Sequence, residues 1–257
     1  MSLNPRIAGW KDRRVWLVGA STGIGAALAR MLLARGAKVA VSARSAGRLR
    51  ALVAGRGEAL IVPLDVTKPE EFAGAHARIV KAWGGVDLAV YLAGTYQPTR
   101  AWELTVERAR AHVEANLMGA YNMLPVVLAD MLARGDGGVA IVSSVAGYRG
   151  LPNSLCYGPT KAALINLAET LHLDLAPKGI GVYLVNPGFV ETPMTAQNAF
   201  KMPALVSPEA AATEIIRGLE RGEFEIHFPK RFTAWLKMLR QLPYRAYFPV
   251  VRKFTGL

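Results

Sequence analysis

The chain of 257 residues has very little cysteine and no long apolar segment. Its single cysteine, Cys156, excludes a disulfide bond within the chain and favours a reducing, cytoplasmic setting. A membrane span needs about eighteen consecutive apolar residues, and the sequence offers no such run. Residues 1–14 also lack the apolar stretch and cleavage site of a secretion signal. We therefore expect neither a membrane-spanning nor a secreted protein.

Histidine and acidic residues are also sparse. The histidines, which number four, lack the spacing of metal ligands, so we predict no metal site. They are His76, His112, His172 and His227. Basic residues outnumber acidic ones by 31 to 19, which gives a net charge of +12. Such an excess attracts anions without selectivity, and because no groove-reading motif accompanies it, we predict no specific nucleic-acid partner.

Short apolar segments alternate with segments of helical length. The hydrophobic content of 52% is enough for one large core in a chain of this length. The alternation predicts a single-domain α/β fold, a doubly wound parallel sheet with helices on both faces. Ligands of such sheets bind at the carboxyl ends of the strands. The predicted strands are 15–18, 38–42, 59–64, 86–91, 139–142 and 181–185.

A glycine-rich turn follows the first predicted strand. Gly19, Gly23 and Gly25 precede a helical run over 26–35, and Ser21, Thr22 and Ile24 lie between them. Glycines permit a tight turn and close backbone approach, so the helix can point free amides at a pyrophosphate. A glycine cluster alone is equally typical of an ordinary turn. Its place between a strand and a helix is what favours a dinucleotide site.

Tyr157 and Lys161 lie four residues apart, after the pair Ser143-Ser144. On a helix this spacing puts both side chains on one face, so the ammonium is expected to lower the pKa of the phenol. Pro159 between them is compatible only with a helix that begins here. A tyrosine and a lysine at this spacing are common on ordinary helices, so the rest of the chain decides the interpretation.

Together, from Arg13 to Thr192, these motifs resemble the short-chain dehydrogenase/reductase family. The resemblance implies a Rossmann-type domain over residues 1–227 and hydride transfer between a nicotinamide cofactor and a carbonyl compound or secondary alcohol. It assigns catalysis to Asn116, Ser144, Tyr157 and Lys161. Ser144 polarises the substrate oxygen and Tyr157 transfers the proton. Lys161 lowers the pKa of Tyr157 and holds the nicotinamide ribose, and Asn116 secures a relay water.

The resemblance also implies a cofactor site and contains one departure. Where the family has two asparagines before Ala93-Gly94, this chain has Tyr91-Leu92. The sequence does not show how the chain packs at these two positions. The implied cofactor residues are Gly19, Ser21, Thr22, Gly23, Ile24, Gly25, Arg44, Asp65, Val66, Ala93, Gly94, Tyr157, Lys161, Pro187, Val190 and Thr192.

Arg44 follows the second predicted strand, where an acidic residue would bind the ribose hydroxyls of NAD. A guanidinium there pairs with the extra phosphate of NADP, which predicts NADP in preference to NAD. The alternative is that Arg44, near Arg48 and Arg50, simply faces solvent.

Residues 228–257 form a distinct C-terminal segment with seven basic residues, seven aromatic residues and no acid. Apolar residues recur at helical spacing over 232–242, and Pro243 ends this predicted amphipathic helix. Such segments bind anionic membrane surfaces, which makes the protein a candidate for peripheral attachment. Three alternatives remain: the segment covers the substrate pocket, forms a subunit interface or contacts nucleic acid. The family resemblance implies a homodimer or homotetramer through the helices beside the sheet.

The predicted pocket segments 95–102, 147–155 and 189–206 are rich in apolar side chains, which favours a lipophilic carbonyl or alcohol as substrate. A different class of function is a noncatalytic NADP-binding protein that regulates a partner or membrane attachment. The complete set of four catalytic residues argues against it, because binding alone does not require a positioned acid, a relay and a polarising hydroxyl.

Overall fold

A computed structural model describes residues 2–198 and 200–256 of the chain. Within these residues seven strands form one fully parallel sheet, in the order β3-β2-β1-β4-β5-β6-β7. The α/β prediction is confirmed. The strands are β1 (Arg14–Val18), β2 (Lys38–Ser42), β3 (Ala59–Ile61), β4 (Leu88–Tyr91), β5 (Gly137–Val142), β6 (Ile180–Pro187) and β7 (Glu225–Phe228).

Helices cover both faces of the sheet, because successive residues of each strand point to opposite sides. In β1, for example, Trp16 belongs to the apolar core under α3, α5 and α6, whereas Leu17 belongs to the core under α1, α2 and α7. The helices are α1 (Gly23–Ala34), α2 (Ala46–Val53), α3 (Pro69–Trp83), α4 (Val106–His112), α5 (Gly119–Arg134), α6 (Tyr157–Leu175), α7 (Pro208–Arg221), α8 (Lys230–Arg240) and α9 (Tyr244–Thr255).

The strand registers bring the predicted site segments together at the carboxyl ends of the strands. Val18 is paired with Ser42 on one side and with Tyr91 on the other, and Val142 is paired with Val185. The glycine turn, Arg44, Ala93-Gly94 and Ser144 therefore leave the sheet at the same end. The sequence patterns missed one strand, β7, which pairs with the end of β6.

The C-terminal helices α8 and α9 follow β7 directly and pack together around Leu239, Tyr247 and Val251. The predicted boundary between residues 227 and 228 falls just before the last residue of β7. Among the described residues, no helix combines the length and apolar character that crossing a bilayer requires.

Candidate active site

The glycine turn between β1 and α1 is a tight cradle. Gly19 has φ +103° and Gly23 has φ +54°, which are conformations that L side chains rarely adopt. A Cβ on Gly19 would collide with the backbone of Ala93, and a Cβ on Gly25 would collide with the carbonyl of Gly19. A Cβ on Gly23 would lie 2.8 Å from Cγ2 of Thr192. Each glycine therefore keeps the turn open and close to the neighbouring loops.

The turn leads into the amino end of α1, which starts at Gly23. The N-cap residue Thr22 makes no side-chain hydrogen bond to the first turn, so its hydroxyl does not occupy the free amides. The amides and the helix dipole together favour an anion. The cradle that a Cβ would fill and the free helix end fit the pyrophosphate of a dinucleotide.

Arg44 follows β2 and Asp65 follows β3, and the two side chains lie near each other. The Asp65 carboxylate accepts hydrogen bonds from the Thr67 amide (3.0 Å) and hydroxyl (2.9 Å). These bonds lower the pKa of Asp65, and the charge of Arg44 contributes in the same direction. Arg44 itself is exposed. Next to this pair, the carbonyl of Val66 accepts a hydrogen bond from the Asn122 side chain at 3.0 Å.

Asn116 lies in a π-helical segment, Val113–Met118, that joins α4 to α5. It is fully buried, and its side-chain oxygen accepts from the Thr95 amide at 2.6 Å. Its amide nitrogen donates to the carbonyl of Thr95 and to the hydroxyl of Thr160, both at 3.0 Å. The side chain thus joins the end of β4 to α6. π-Helical turns often occur at functional sites.

Tyr157 is the first residue of α6, so Pro159 lies in the first turn of the helix as the sequence predicts. Lys161 follows one turn later and is only 4% exposed. Its ammonium donates to the carbonyl of Val142 at 3.0 Å and lies 5.5 Å from the centroid of the Tyr157 ring. A Cβ on Gly94 would lie 3.7 Å from this ammonium, so the Ala93-Gly94 loop borders the same space.

The expectation that Lys161 lowers the pKa of Tyr157 stays a prediction, because the dominant influence on this pKa in the structure is burial. Burial raises the pKa of Tyr157 to about 12, and the nearby Ser144 hydroxyl only partly opposes this. Burial lowers the pKa of Lys161 to about 8. The reason is geometric: the phenol hydroxyl is enclosed, although the ring keeps some solvent contact, and the ammonium is held by Val142 rather than by the phenol.

Ser144 and Tyr96 lie beside Tyr157. The Ser144 oxygen accepts from the Ala146 amide at 3.1 Å and caps the 3-10 turn Val145–Gly147. The ring of Tyr96 meets that of Tyr157 edge to face, with centroids 5.1 Å apart. Tyr96 also donates from its hydroxyl to the side-chain oxygen of Asn198 at 2.9 Å, so it joins the loop after β4 to the segment after β6.

The segment after β6 also lies at the carboxyl ends of the strands. Pro187 is the last residue of β6, and Val190 is buried and bridged to Val206. The Thr192 amide donates to the Thr195 hydroxyl at 3.0 Å, and a Cβ on Gly23 would lie 2.8 Å from Cγ2 of Thr192, so the segment reaches the glycine turn. The predicted residues of this segment are therefore brought together with those of the turn.

Sequence reasoning missed the role of Tyr91. Its fully buried hydroxyl donates to the carbonyl of Ala115, one residue before Asn116, at 2.5 Å. Gly119 makes room for it, since a Cβ there would collide with the Tyr91 hydroxyl. The replacement of the family's asparagine is thus accommodated by a tyrosine that holds the π-helical segment. The signal in the sequence was the joint presence of Tyr91 and Gly119.

Arg149 was missed as well. Its guanidinium donates to three carbonyls at the end of α8, those of Leu239 (3.2 Å), Arg240 (3.1 Å) and Leu242 (2.6 Å). It also lies 4.6 Å from the Tyr244 centroid and 4.0 Å from that of Tyr247. The loop that follows Ser144 is therefore fastened to the C-terminal helices. No periodic pattern in the sequence signals such a contact.

Within residues 2–198 and 200–256, no group of three or more His, Cys, Asp and Glu side chains has the arrangement of a metal site. The expectation that the protein works without a metal stays a prediction.

Comparisons with known proteins agree with the geometry. A family model described as short chain dehydrogenase matches residues 13–202. An oxidoreductase of Myxococcus xanthus, described as uncharacterized, is 36% identical over 238 residues, which are 90% of this chain and 93% of that protein. The cis-4-hydroxycyclohexanecarboxylate dehydrogenase of Sinomonas cyclohexanicum is 35% identical over 82% of this chain and 85% of its own length. A crystal structure of a short-chain dehydrogenase from Streptomyces avermitilis superposes with a TM-score of 0.78 at 27% identity, covering 95% of this chain and 98% of that one.

Proposed function

The chain belongs to the short-chain dehydrogenase family, and on this premise we propose that it transfers a hydride between NADP(H) and a lipophilic carbonyl compound or secondary alcohol. That it is an oxidoreductase with a Rossmann-type nucleotide-binding fold follows from the family. The observation that supports the specific reaction is that Ser144 and Lys161 lie next to Tyr157, and that Lys161 also borders Gly94.

In this proposal, NADP(H) supplies or accepts the hydride when it is bound. The Ser144 hydroxyl orients the substrate oxygen, and Tyr157 gives it a proton in the reductive direction or takes one in the oxidative direction. A phenol with its pKa raised to about 12 stays protonated at neutral pH, which suits a proton donor. Lys161 holds the nicotinamide ribose and supports the charge that develops on Tyr157. Asn116 fixes the π-helical backbone that secures the relay water.

The preference for NADP is proposed from Arg44. Its side chain is exposed at the end of β2, close enough to lower the pKa of Asp65. A free guanidinium at this place has a clear use in pairing with the ribose phosphate that distinguishes NADP from NAD.

We propose an apolar substrate because aromatic rings cluster where the segment after β6 meets α8. Phe189 lies 5.7 Å from Phe200 and 5.9 Å from Phe232, measured between ring centroids. Phe232 belongs to α8, so the C-terminal segment contributes to this wall. The substrate named for the Sinomonas relative carries a secondary alcohol and a carboxylate on a saturated ring, so it matches the proposed reaction but is not itself apolar.

We also propose a homodimer or homotetramer through α5 and α6, whose outward residues Tyr121, Leu132 and Leu173 are exposed and apolar. Peripheral attachment to an anionic membrane through residues 228–257 is part of the same proposal, in a cytoplasmic protein.

The proposal is tested by measuring NADPH oxidation with a series of ketones of increasing chain length. Tyr157→Phe is the control, because it removes only the phenolic oxygen. We expect turnover to rise with chain length and to fall by about 10²- to 10⁴-fold in the variant, the usual contribution of a general acid. NADPH binding, followed by its fluorescence, is expected to persist.

Binding of NADPH without turnover of any carbonyl or alcohol would instead favour the alternative function, a noncatalytic NADP-dependent regulator. Equal turnover by wild type and Tyr157→Phe would contradict the proposed role of Tyr157.

A further inference from the structure

The outer side of α9 combines aromatic rings with basic side chains. Tyr244, Arg245, Phe248 and Arg252 are all exposed, and their spacing puts them on one side of the helix. Tyr244 and Phe248 are stacked, with ring centroids 5.6 Å apart, although they are 67% and 54% exposed. A contiguous apolar patch bordered by charge marks an interaction surface more often than single exposed side chains do.

The inner side of α9 fixes the direction in which this outer side points. Tyr247 and Val251 are buried against α8, and the Tyr247 hydroxyl donates to the carbonyl of Gly150 at 2.8 Å. The Arg149 guanidinium lies 4.0 Å from the centroid of the Tyr247 ring. Turning α9 to bury Phe248 would break these contacts, so the aromatic and basic side chains are held outward.

Helix α8 also exposes apolar and basic side chains. Met238 is 72% exposed and Arg231 is exposed as well. Over residues 228–257 there are seven basic residues and no acid, so every formal side-chain charge in the segment is positive. Two of these basic residues form ion pairs with glutamates outside the segment, and the others are in no ion pair within the described residues. The surface therefore combines exposed apolar side chains with positive charge.

We propose that this outer side of α9 docks on an anionic lipid surface. Aromatic and apolar side chains insert at the boundary between head groups and acyl chains, and arginines beside them bind lipid phosphates. A second copy of the same face is disfavoured, because two cationic surfaces repel each other. A nucleic acid would match the charge, but its phosphate backbone has no favourable contact for Phe248 and Met238.

Docking in this orientation has a consequence for catalysis, which rests on the proposed function. The loop at residues 148–151 follows Ser144 and is fastened to the inner side of α9 by Arg149 and Tyr247. It therefore lies beside the docked helix. A lipophilic substrate dissolved in the bilayer would reach the site by a short path without crossing water.

The test is flotation of the full chain with vesicles of phosphatidylcholine alone or mixed with phosphatidylglycerol. We expect binding only to the mixed vesicles. Because each basic residue near such a surface contributes about 1 kcal/mol, reversing Arg245 and Arg252 to Glu should lower the partition coefficient by tenfold or more. Phe248→Ser should lower it as well. The matched controls are Lys81→Glu with Lys178→Glu for charge, and Trp102→Ser for an exposed ring elsewhere.

Absence of binding to the mixed vesicles, or equal losses in the control variants, would overturn the proposal. Dissociation of an oligomer by Phe248→Ser would assign the face to a second copy and also overturn it, as would tighter binding to single-stranded DNA than to vesicles. Turnover separates the two proposals: Phe248→Ser should leave the rate with a short, water-soluble ketone unchanged. If wild type reduces no ketone yet floats with anionic vesicles, the proposed reaction fails and the docking surface stands.

Discussion

The ammonium of Lys161 donates a hydrogen bond to the carbonyl of Val142, 3.0 Å away at the end of β5. This bond holds a buried charge directly below the ring of Tyr157, whose centroid is 5.5 Å from the same nitrogen. The next residue, Ser143, donates from its hydroxyl to the carbonyl of Lys161 at 2.7 Å. These two bonds join the carboxyl end of strand β5 to helix α6 next to Tyr157, the proposed proton donor.

Burial of Lys161 predicts a stability that depends on pH. Its pKa is lowered from 10.5 to about 8 in the folded chain, so between these values the folded protein releases the proton before the unfolded chain does. The unfolded state then binds more protons, and stability rises with pH across this window by up to about 3 kcal/mol. Below pH 8 both states are protonated and the cost of burying the charge is present in full.

The measurement compares wild type with Lys161→Met in urea unfolding at pH 8 and pH 10. The free energy of unfolding of wild type, relative to the variant, should increase from the lower to the higher pH. The comparison removes the contributions of the tyrosines, which both proteins share. A constant difference would mean that Lys161 is not forced towards its neutral form.

If Arg44 sets the preference for NADP over NAD, its replacement should change that preference. Arg44→Asp should lower the ratio of NADP to NAD affinity by about ten- to a hundredfold, because it removes a charged hydrogen bond and places a repelling carboxylate there. Arg50→Asp, an exposed charge reversal on α2, is the matched control and should leave the ratio unchanged. Fluorescence titrations of wild type and both variants, each with NADPH and with NADH, measure the ratio. An unchanged ratio in Arg44→Asp would contradict the assignment.

The sheet was predictable because parallel strands buried on both faces appear as short apolar runs. Strand β7 was not, since its four residues alternate apolar Ile226 and Phe228 with polar Glu225 and His227 and lie at the edge of the sheet. The position of Pro159 correctly placed Tyr157 and Lys161 at the start of a helix. It did not give the pKa of Tyr157, because burial and the Val142 carbonyl depend on tertiary contacts.

Tyr91 predicts a stability effect next to the active site. Tyr91→Phe removes this donor from the half-buried carbonyl of Ala115, which should cost about 1 kcal/mol of unfolding free energy. Since Ala115 precedes Asn116 in the π-helical segment, turnover should fall as well. Tyr244→Phe, at an exposed position on α9, is the control and should change neither quantity. Urea unfolding and steady-state kinetics measure the two effects, and full stability in Tyr91→Phe would show that water replaces the phenol.

Arg149 predicts that substrate affinity depends on the C-terminal helices. Arg149→Met keeps an unbranched apolar stem but loses the guanidinium and its three carbonyl contacts at the end of α8, so the loop after Ser144 should become looser. We expect KM for the ketone to rise by about tenfold, a loss comparable to one charged hydrogen bond. The dissociation constant of NADPH should stay the same, because Arg149 follows β5 whereas the glycine turn follows β1. Tyr247→Phe removes only the bond to Gly150 and should raise KM less. Equal weakening of NADPH and ketone binding would instead mean that the contacts of Arg149 stabilise the whole domain rather than the loop after Ser144.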